Sequence, residues 1–297
     1  MTGAERGFLL LTQRLGDPSA KPLTPAQFRE LSRLARLMER PAEDRSLETE
    51  DLVGLGCDRG FARQVVSLLS REEALDWYLR QGEKAGCLPV SCFSGLYPAR
   101  LDRALGTDAP AVLWAKGDLS LLSKPGISLV GSRELHPENR RFAQQLGQIA
   151  AQAGVVLVSG NARGADWAAQ ESCLEAGGCV ISVVADRLDG HTCRDGVLYL
   201  SEDGFDASFS AHRALRRNRI IHSLSENTVV AQCTYGKGGT WDGTVKNLRQ
   251  GWSQVYCYRD GSSAMKALWD LGAVPVTAVT PEMLQPQAHR QLQLDKI

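Results

Sequence analysis

The chain has 297 residues, more than a single hydrophobic core usually takes, so two domains, or one large domain with an extension, is the starting expectation. Lys plus Arg and Asp plus Glu number 34 each, which excludes a global field that would draw the whole surface to a polyanion and confines any nucleic-acid site to a local patch. Runs such as the apolar 155–158 and the largely apolar 180–184 are far shorter than the roughly 20 residues needed to cross a bilayer, and residues 1–14 lack the pattern of a signal peptide, so the chain reads as cytoplasmic with no membrane contact.

In chain order, 8–79 is helical. Phe28, Leu31, Leu34, Ala35 and Met38 recur at spacings of three and four after the start signal Thr24-Pro25. This predicts a small helical domain over 1–81, of the SAM or helix-hairpin-helix kind. Within it, Leu52, Val53, Gly54, Leu55 and Gly56 precede the amphipathic Phe61, Val65, Val66, Leu68 and Leu69, which predicts two helices joined at a glycine-containing hairpin. Backbone N–H groups of such a hairpin can hold a phosphate, but a plain turn is the weightier expectation. Residues 82–126 hold the turn signals Leu88-Pro89, Tyr97-Pro98 and Ala109-Pro110, with short extended pieces such as Val112-Leu113-Trp114, and read as a connector packed on the next domain.

From 127 onward the chain alternates. Short β-rich runs at 127–130, 155–158, 180–184, 197–200, 228–231 and 255–258 are mostly separated by helical patterns; after Glu138, for instance, Phe142, Leu146, Ile149, Ala150 and Ala153 share one face. Continuous apolar strands between amphipathic helices predict a Rossmann-like, doubly wound α/β domain over 82–276 with a mainly parallel sheet, leaving 277–297 as a C-terminal tail. Ligands on such sheets bind beyond the carboxyl ends of the strands, where strand order reverses.

Four elements carry candidate phosphate contacts there. The first is Gly131, Ser132 and Arg133, where glycine permits close approach and arginine offers a planar fork. The second, after the next strand, is Ser159, Gly160, Asn161, Ala162, Arg163, Gly164, Ala165 and Asp166, again glycines, a hydroxyl and an arginine before a helix N-terminus. Asp166 is more simply a cap of that helix than a ligand contact. The third is the run with Arg213, Arg216, Arg217, Asn218 and Arg219, which contains no acid and reads as a concentrated basic patch with Arg217 and Arg219 supplying much of the affinity. The fourth is Lys237, Gly238, Gly239 and Thr240, a possible anion nest that lacks the spacing of a nucleotidase P-loop.

No catalytic set, metal or cofactor is expected. Cys57, Cys87, Cys92, Cys173, Cys179, Cys193, Cys233 and Cys257 form no CxxC pair, which favours reduced cysteines acting as small hydrophobes, and Ser159 has no histidine partner.

The four elements, in this order, together with Leu200-Ser201-Glu202, Ile220-Ile221 and Leu271-Gly272-Ala273, resemble the DNA-processing protein A (Smf) family over about 52–275. That resemblance implies single-stranded DNA as the ligand, a role in recombination and natural transformation, and RecA as the recombinase loaded onto the strand; a homodimer is left open. Gln170 stands where the family commonly has a histidine, Arg259-Asp260 where a Pro-Gly often closes a strand, and Lys237 to Thr240 where a Ser-Gly turn is usual. The chain ends at Ile297, leaving no room for the winged helix many members carry. The rival reading is a nucleotide sensor, or an enzyme resembling the nucleotide phosphoribohydrolases of the same fold group, for which Asp242 is the nearby carboxylate. A recombination or phage-defence adaptor working through protein contacts is a third.

Overall fold

The computed structural model describes residues 1–35 and 46–285; Met38 and the end of the expected tail, 286–297, lie outside the described residues. Among these, five helices open the chain: α1 (Gly3–Thr12), α2 (Pro25–Ala35), α3 (Thr49–Gly54), α4 (Arg59–Leu69) and α5 (Glu72–Lys84). Their starts follow from local chemistry. Thr2 and Glu5 form a reciprocal capping box, and the Asp58 carboxylate accepts from the N–H groups of Gly60 and Phe61. Leu31, Leu34, Leu52, Ala62, Val65 and Leu68 bury one another between them. The α3–α4 hairpin spends its own N–H groups, Gly56 and Cys57 donating to the carbonyls of Val53 and Leu52, and is a plain turn.

The remainder is β1 (Leu88–Ser91), α6 (Ala99–Leu105), β2 (Val112–Gly117), β3 (Gly126–Val130), α7 (Pro137–Gln152), β4 (Val156–Ser159), α8 (Ala165–Glu175), β5 (Val180–Val183), β6 (Val197–Ser201), α9 (Ala211–Arg216), α10 (Asn218–Leu224), β7 (Asn227–Val230), α11 (Gly238–Gln250), β8 (Gln254–Tyr258), α12 (Ser263–Asp270) and β9 (Val274–Val276). The described strands form one sheet in the order β1-β2-β6-β5-β4-β3-β7-β8-β9. From β6 to β9 every pairing is parallel, while β1–β2 and β2–β6 are antiparallel. The mainly parallel α/β fold expected from the alternating pattern is the one observed.

Packing crosses both expected boundaries, and the connector contributes strands. The connector is no mere connector, because β1 and β2 extend the sheet itself. The expected junction at 81/82 falls inside α5, whose Tyr78 meets Trp114 of β2 edge-on at 5.2 Å, while Phe8, Leu9 and Leu10 of α1 join the same cluster. The helical unit thus buttresses the sheet rather than standing apart. The start of the tail also docks: Val279, Met283 and Leu284 are buried, and Asn227 donates to the carbonyls of Met283 and Gln285. No helix among the described residues is long and apolar enough to cross a membrane.

Strand alternation splits the core across the two faces of the sheet. Ile127, Leu129 and Leu157 pack under α7 and α8 with Phe142, Leu146 and Cys173, whereas Val130, Val158 and Val183 pack against Ile220, Ile221 and Met265. Ser128 points to the second face and donates to the carbonyl of Ile221, fastening α10 over β3. Strand order reverses at β3: β4, β5 and β6 run out to one side, and β7, β8 and β9 to the other. This is the switch point at which the fold leaves a crevice.

Candidate functional site

The four elements singled out in the sequence meet at that crevice and are tied to one another. Ser132, just beyond β3, offers its carbonyl to the N–H of Ala165 at 3.1 Å, joining the first turn to the second. Thr240, in the first turn of α11, donates its hydroxyl to the carbonyl of Gly131 at 2.9 Å, joining the first to the fourth. Asn218, at the start of α10, donates to the carbonyl of Gly239 at 3.0 Å, joining the third to the fourth. The guanidinium of Arg217 lies against Gly160, joining the third to the second; a Cβ on Gly160 would stand 1.6 Å from Arg217 Nη1, so any larger residue there would displace the guanidinium. Gly164 has φ 97° and its Cβ position is 2.4 Å from the carbonyl oxygen of Ser132, so both backbone conformation and space demand glycine.

The individual roles differ from the sequence expectation in several places. Ser159 is buried, and its hydroxyl accepts from Gln170 rather than facing a ligand, because it ends β4 on the side covered by α8. Asp166 is not the N-cap of α8, a position held by Gly164; its carboxylate instead accepts from the N–H of Ala162 at 3.1 Å and closes the turn from within the helix. Burial pushes this carboxyl above its ordinary range, against the opposing pull of the Arg217 charge and the N–H groups of Ala162 and Gly160. Thr240 spends its hydroxyl on Gly131 and is not a free donor.

The arginine run departs furthest from the sequence expectation. Glu202 and Asp203, at the carboxyl end of β6, sit opposite it. Arg219 pairs with Glu202 at 2.6 Å, Arg216 with Glu202 at 3.0 Å and Asp203 at 3.4 Å, and Arg213 with Asp203 at 2.6 Å. Among the described residues Arg217 has no such partner, yet it is buried: its Nε and Nη1 lack hydrogen-bond partners there, and burial lowers its pKa although Asp166 opposes the shift. The basic patch read from the sequence is therefore largely neutralised. A groove of about 1200 Å³ beside it, lined by Arg213, Arg216, Arg219, Glu202 and Asp203 and by residues of the N-terminal unit, shares that internal balance.

The free positive charge lies elsewhere on the same crevice. Arg133, Arg163 and Lys237 are exposed and make no ion pair among the described residues, and the Arg133 charge is close enough to act on both Asp166 and Arg217. Together with the glycine turns they make a concave face with free cations at its rim and the acids engaged within it, an arrangement suited to phosphate. Trp167, which sequence reasoning passed over, stands at this rim with half its surface in water. Its position directly after the Asp166 turn was a signal available in the sequence. Asp242, the carboxylate an enzyme reading would want, is exposed on α11.

The chain resembles known proteins along most of this region. It is 34% identical over 167 residues to DNA processing protein DprA of Bacillus subtilis, covering 52% of this chain and 54% of that one. It is 30% identical over 156 residues to Protein Smf of Escherichia coli, covering 49% and 41%. The matches thus span about half the length of these curated relatives, or less. The X-ray structure of DprA from Streptococcus pneumoniae superposes with a TM-score of 0.70 at 24% identity, covering 94% of this chain and 95% of that one. A structure of DNA processing protein A from Helicobacter pylori, described for its single-stranded DNA binding mode, superposes with a TM-score of 0.54 at 22% identity over 64% of this chain. The model of the family named DNA recombination-mediator protein A matches residues 90–260, more than half of the chain and every turn of the crevice, and this chain belongs to that family.

Proposed function

We propose that the crevice binds single-stranded DNA through its backbone phosphates, and that the protein acts in the cytoplasm as a DNA-binding mediator of recombination and DNA uptake rather than as an enzyme. The observation that carries this reading is the convergence of the β3 and β4 turns, with Arg133, Arg163 and Lys237 unpaired around them among the described residues while Asp166, Glu202 and Asp203 are engaged inside the protein. Membership of the family and the strand binding of the Helicobacter relative support the choice of ligand. Family membership also suggests two partners, the RecA recombinase and a second copy of the chain. Capture of RecA by the strand-bound protein, and sedimentation of the free protein, test them separately.

The ligand is tested by filter binding of a single-stranded oligonucleotide, the matching duplex and a mononucleotide over a salt series. Each productive phosphate contact adds roughly 0.7 to the slope of log affinity against log salt on a single strand. Preference for the single strand with a slope of two contacts or more is expected. Tight mononucleotide binding, or release of a base from nucleoside monophosphates, would overturn the assignment in favour of a nucleotide sensor or enzyme.

A further inference from the structure

We propose that Trp167 is a stacking platform for an unpaired base of the strand held at the crevice, an inference that rests on the phosphate reading above. Trp167 is the third residue of α8, and its neighbours Asp166 and Ala168 are buried while the indole itself is 51% exposed. The ring is not loose. Its Nε1–H donates to the carbonyl of Asn161 at 3.1 Å, and Asn161 is itself held in the left-handed region with φ 57°. The indole is thus pinned by its polar edge to the same turn, 160–164, that offers its backbone to a phosphate, while its apolar surface is left in water.

Three features point to a base as the occupant. An indole held in one orientation loses little further rotamer freedom on stacking, which lowers the cost of binding. Its Nε1–H is already satisfied, so it presents a π-face rather than a hydrogen-bond donor, and a π-face takes any base with little sequence preference. Arg163 lies on the same turn, so a nucleotide whose phosphate is held by the turn and this arginine carries its base directly beside the ring. Bases in a duplex are already stacked and paired, so the indole adds affinity for single strands alone. The other strongly exposed tryptophan, Trp77, lies on α5 in the N-terminal unit, away from the crevice, and serves as a control.

The test compares an ordinary oligonucleotide with an abasic strand of the same length, using the wild type, Trp167→Ala, Trp167→Phe and Trp77→Ala. On the ordinary strand, Trp167→Ala should weaken binding by about 5- to 150-fold, the range for losing one base–aromatic stack, with the salt slope unchanged because an indole releases no counterion. Trp167→Phe should recover most of that loss, and Trp77→Ala should lose nothing. On the abasic strand, wild type and Trp167→Ala should bind alike. An equal loss on both strands would make Trp167 a support of the turn, and no loss on either would make it a bystander; each result overturns the inference and leaves the phosphate reading standing. Failure of the wild type to bind either strand overturns both.

Discussion

Two basic regions face one crevice, and they behave in opposite ways. The α9–α10 segment packs Arg213, Arg216, Arg217 and Arg219 into a few residues, while the rim carries only Arg133, Arg163 and Lys237, drawn from three separate turns. Three of the dense arginines are paired to Glu202 and Asp203 and the fourth is buried, whereas the sparse cations make no ion pair among the described residues. Linear charge density is thus a poor guide to field when the chain brings acids from another strand end to meet it. In this protein Arg213, Arg216 and Arg219 of the dense segment are tied into the fold by ion pairs, and on the proposed reading the rim cations are the ones left to meet a polyanion.

That contrast is broken or upheld by comparing substitutions. Arg219→Ala leaves Glu202, whose side chain is 3% exposed, with Arg216 as its remaining cation, so stability should fall by about 2 kcal/mol, the worth of one hydrogen bond to a charged group, while the salt slope of strand binding stays put. The double change Arg133→Ala with Arg163→Ala should do the reverse, altering stability by about 0.5 kcal/mol or less and reducing the slope by roughly 1.4. Urea melts and salt-series binding of the same preparations read both. If Arg219→Ala flattens the slope, the division of labour is wrong.

His222 extends the comparison to pH, since it lies on the same helix as Arg219 but owes its state to burial alone. Its pKa is pushed down to about 3 by burial, and its Nδ1 meets Asn247 Nδ2 at 3.0 Å. The unfolded chain therefore binds a proton that the folded chain refuses between pH 6.5 and about 3. The neutral ring's contribution to stability is complete above pH 6.5 and is lost as pH falls, by about 1.4 kcal/mol per pH unit. Denaturant melts at steps from pH 7 to 4 should show this slope in the wild type and a flatter one in His222→Gln.

Arg217 stands between the two classes. A buried guanidinium with Nε and Nη1 unpartnered costs desolvation free energy that an apolar side chain of similar length would not. Arg217→Met should therefore keep the wild-type stability or raise it by about 1 kcal/mol, yet weaken strand binding by about tenfold, the worth of one charge-assisted hydrogen bond. Loss of stability together with binding would show that the guanidinium serves the fold and not the ligand.

How far each feature was legible in the sequence depends on the range of the interactions involved. The parallel sheet was legible because runs such as Val155 to Val158 are continuously apolar and follow a helix of clear period, α7. β1 was not, because Leu88-Pro89 reads as a turn signal, although edge strands tolerate proline. In the crevice, Gly131, Gly160 and Gly164 were legible from the repeated strand–glycine–helix grammar. The roles of Ser159, Thr240 and Arg219 were not, since each is decided by a partner that only packing supplies, Gln170 for Ser159, Gly131 for Thr240 and Glu202 for Arg219, while Asp166 turns from cap to acceptor of the Ala162 N–H.

The smallest expected effect probes the ties that hold the four elements in register. Thr240 Oγ1 donates to the Gly131 carbonyl, and no charge is involved, so neither stability nor binding should depend on it strongly. Thr240→Val keeps the branched shape and removes the donor, which should cost about 1 kcal/mol of stability. If the turns act as one site, the same loss loosens the first against the fourth, and strand affinity should fall by a few-fold with the salt slope unchanged, because no cation has been removed. Thr240→Ser keeps the hydroxyl and should restore both. A Thr240→Val protein that binds the strand as tightly as the wild type, while losing the expected stability, would show that the fourth turn supports the crevice without aligning it, leaving the β3 and β4 turns as the whole of the phosphate site.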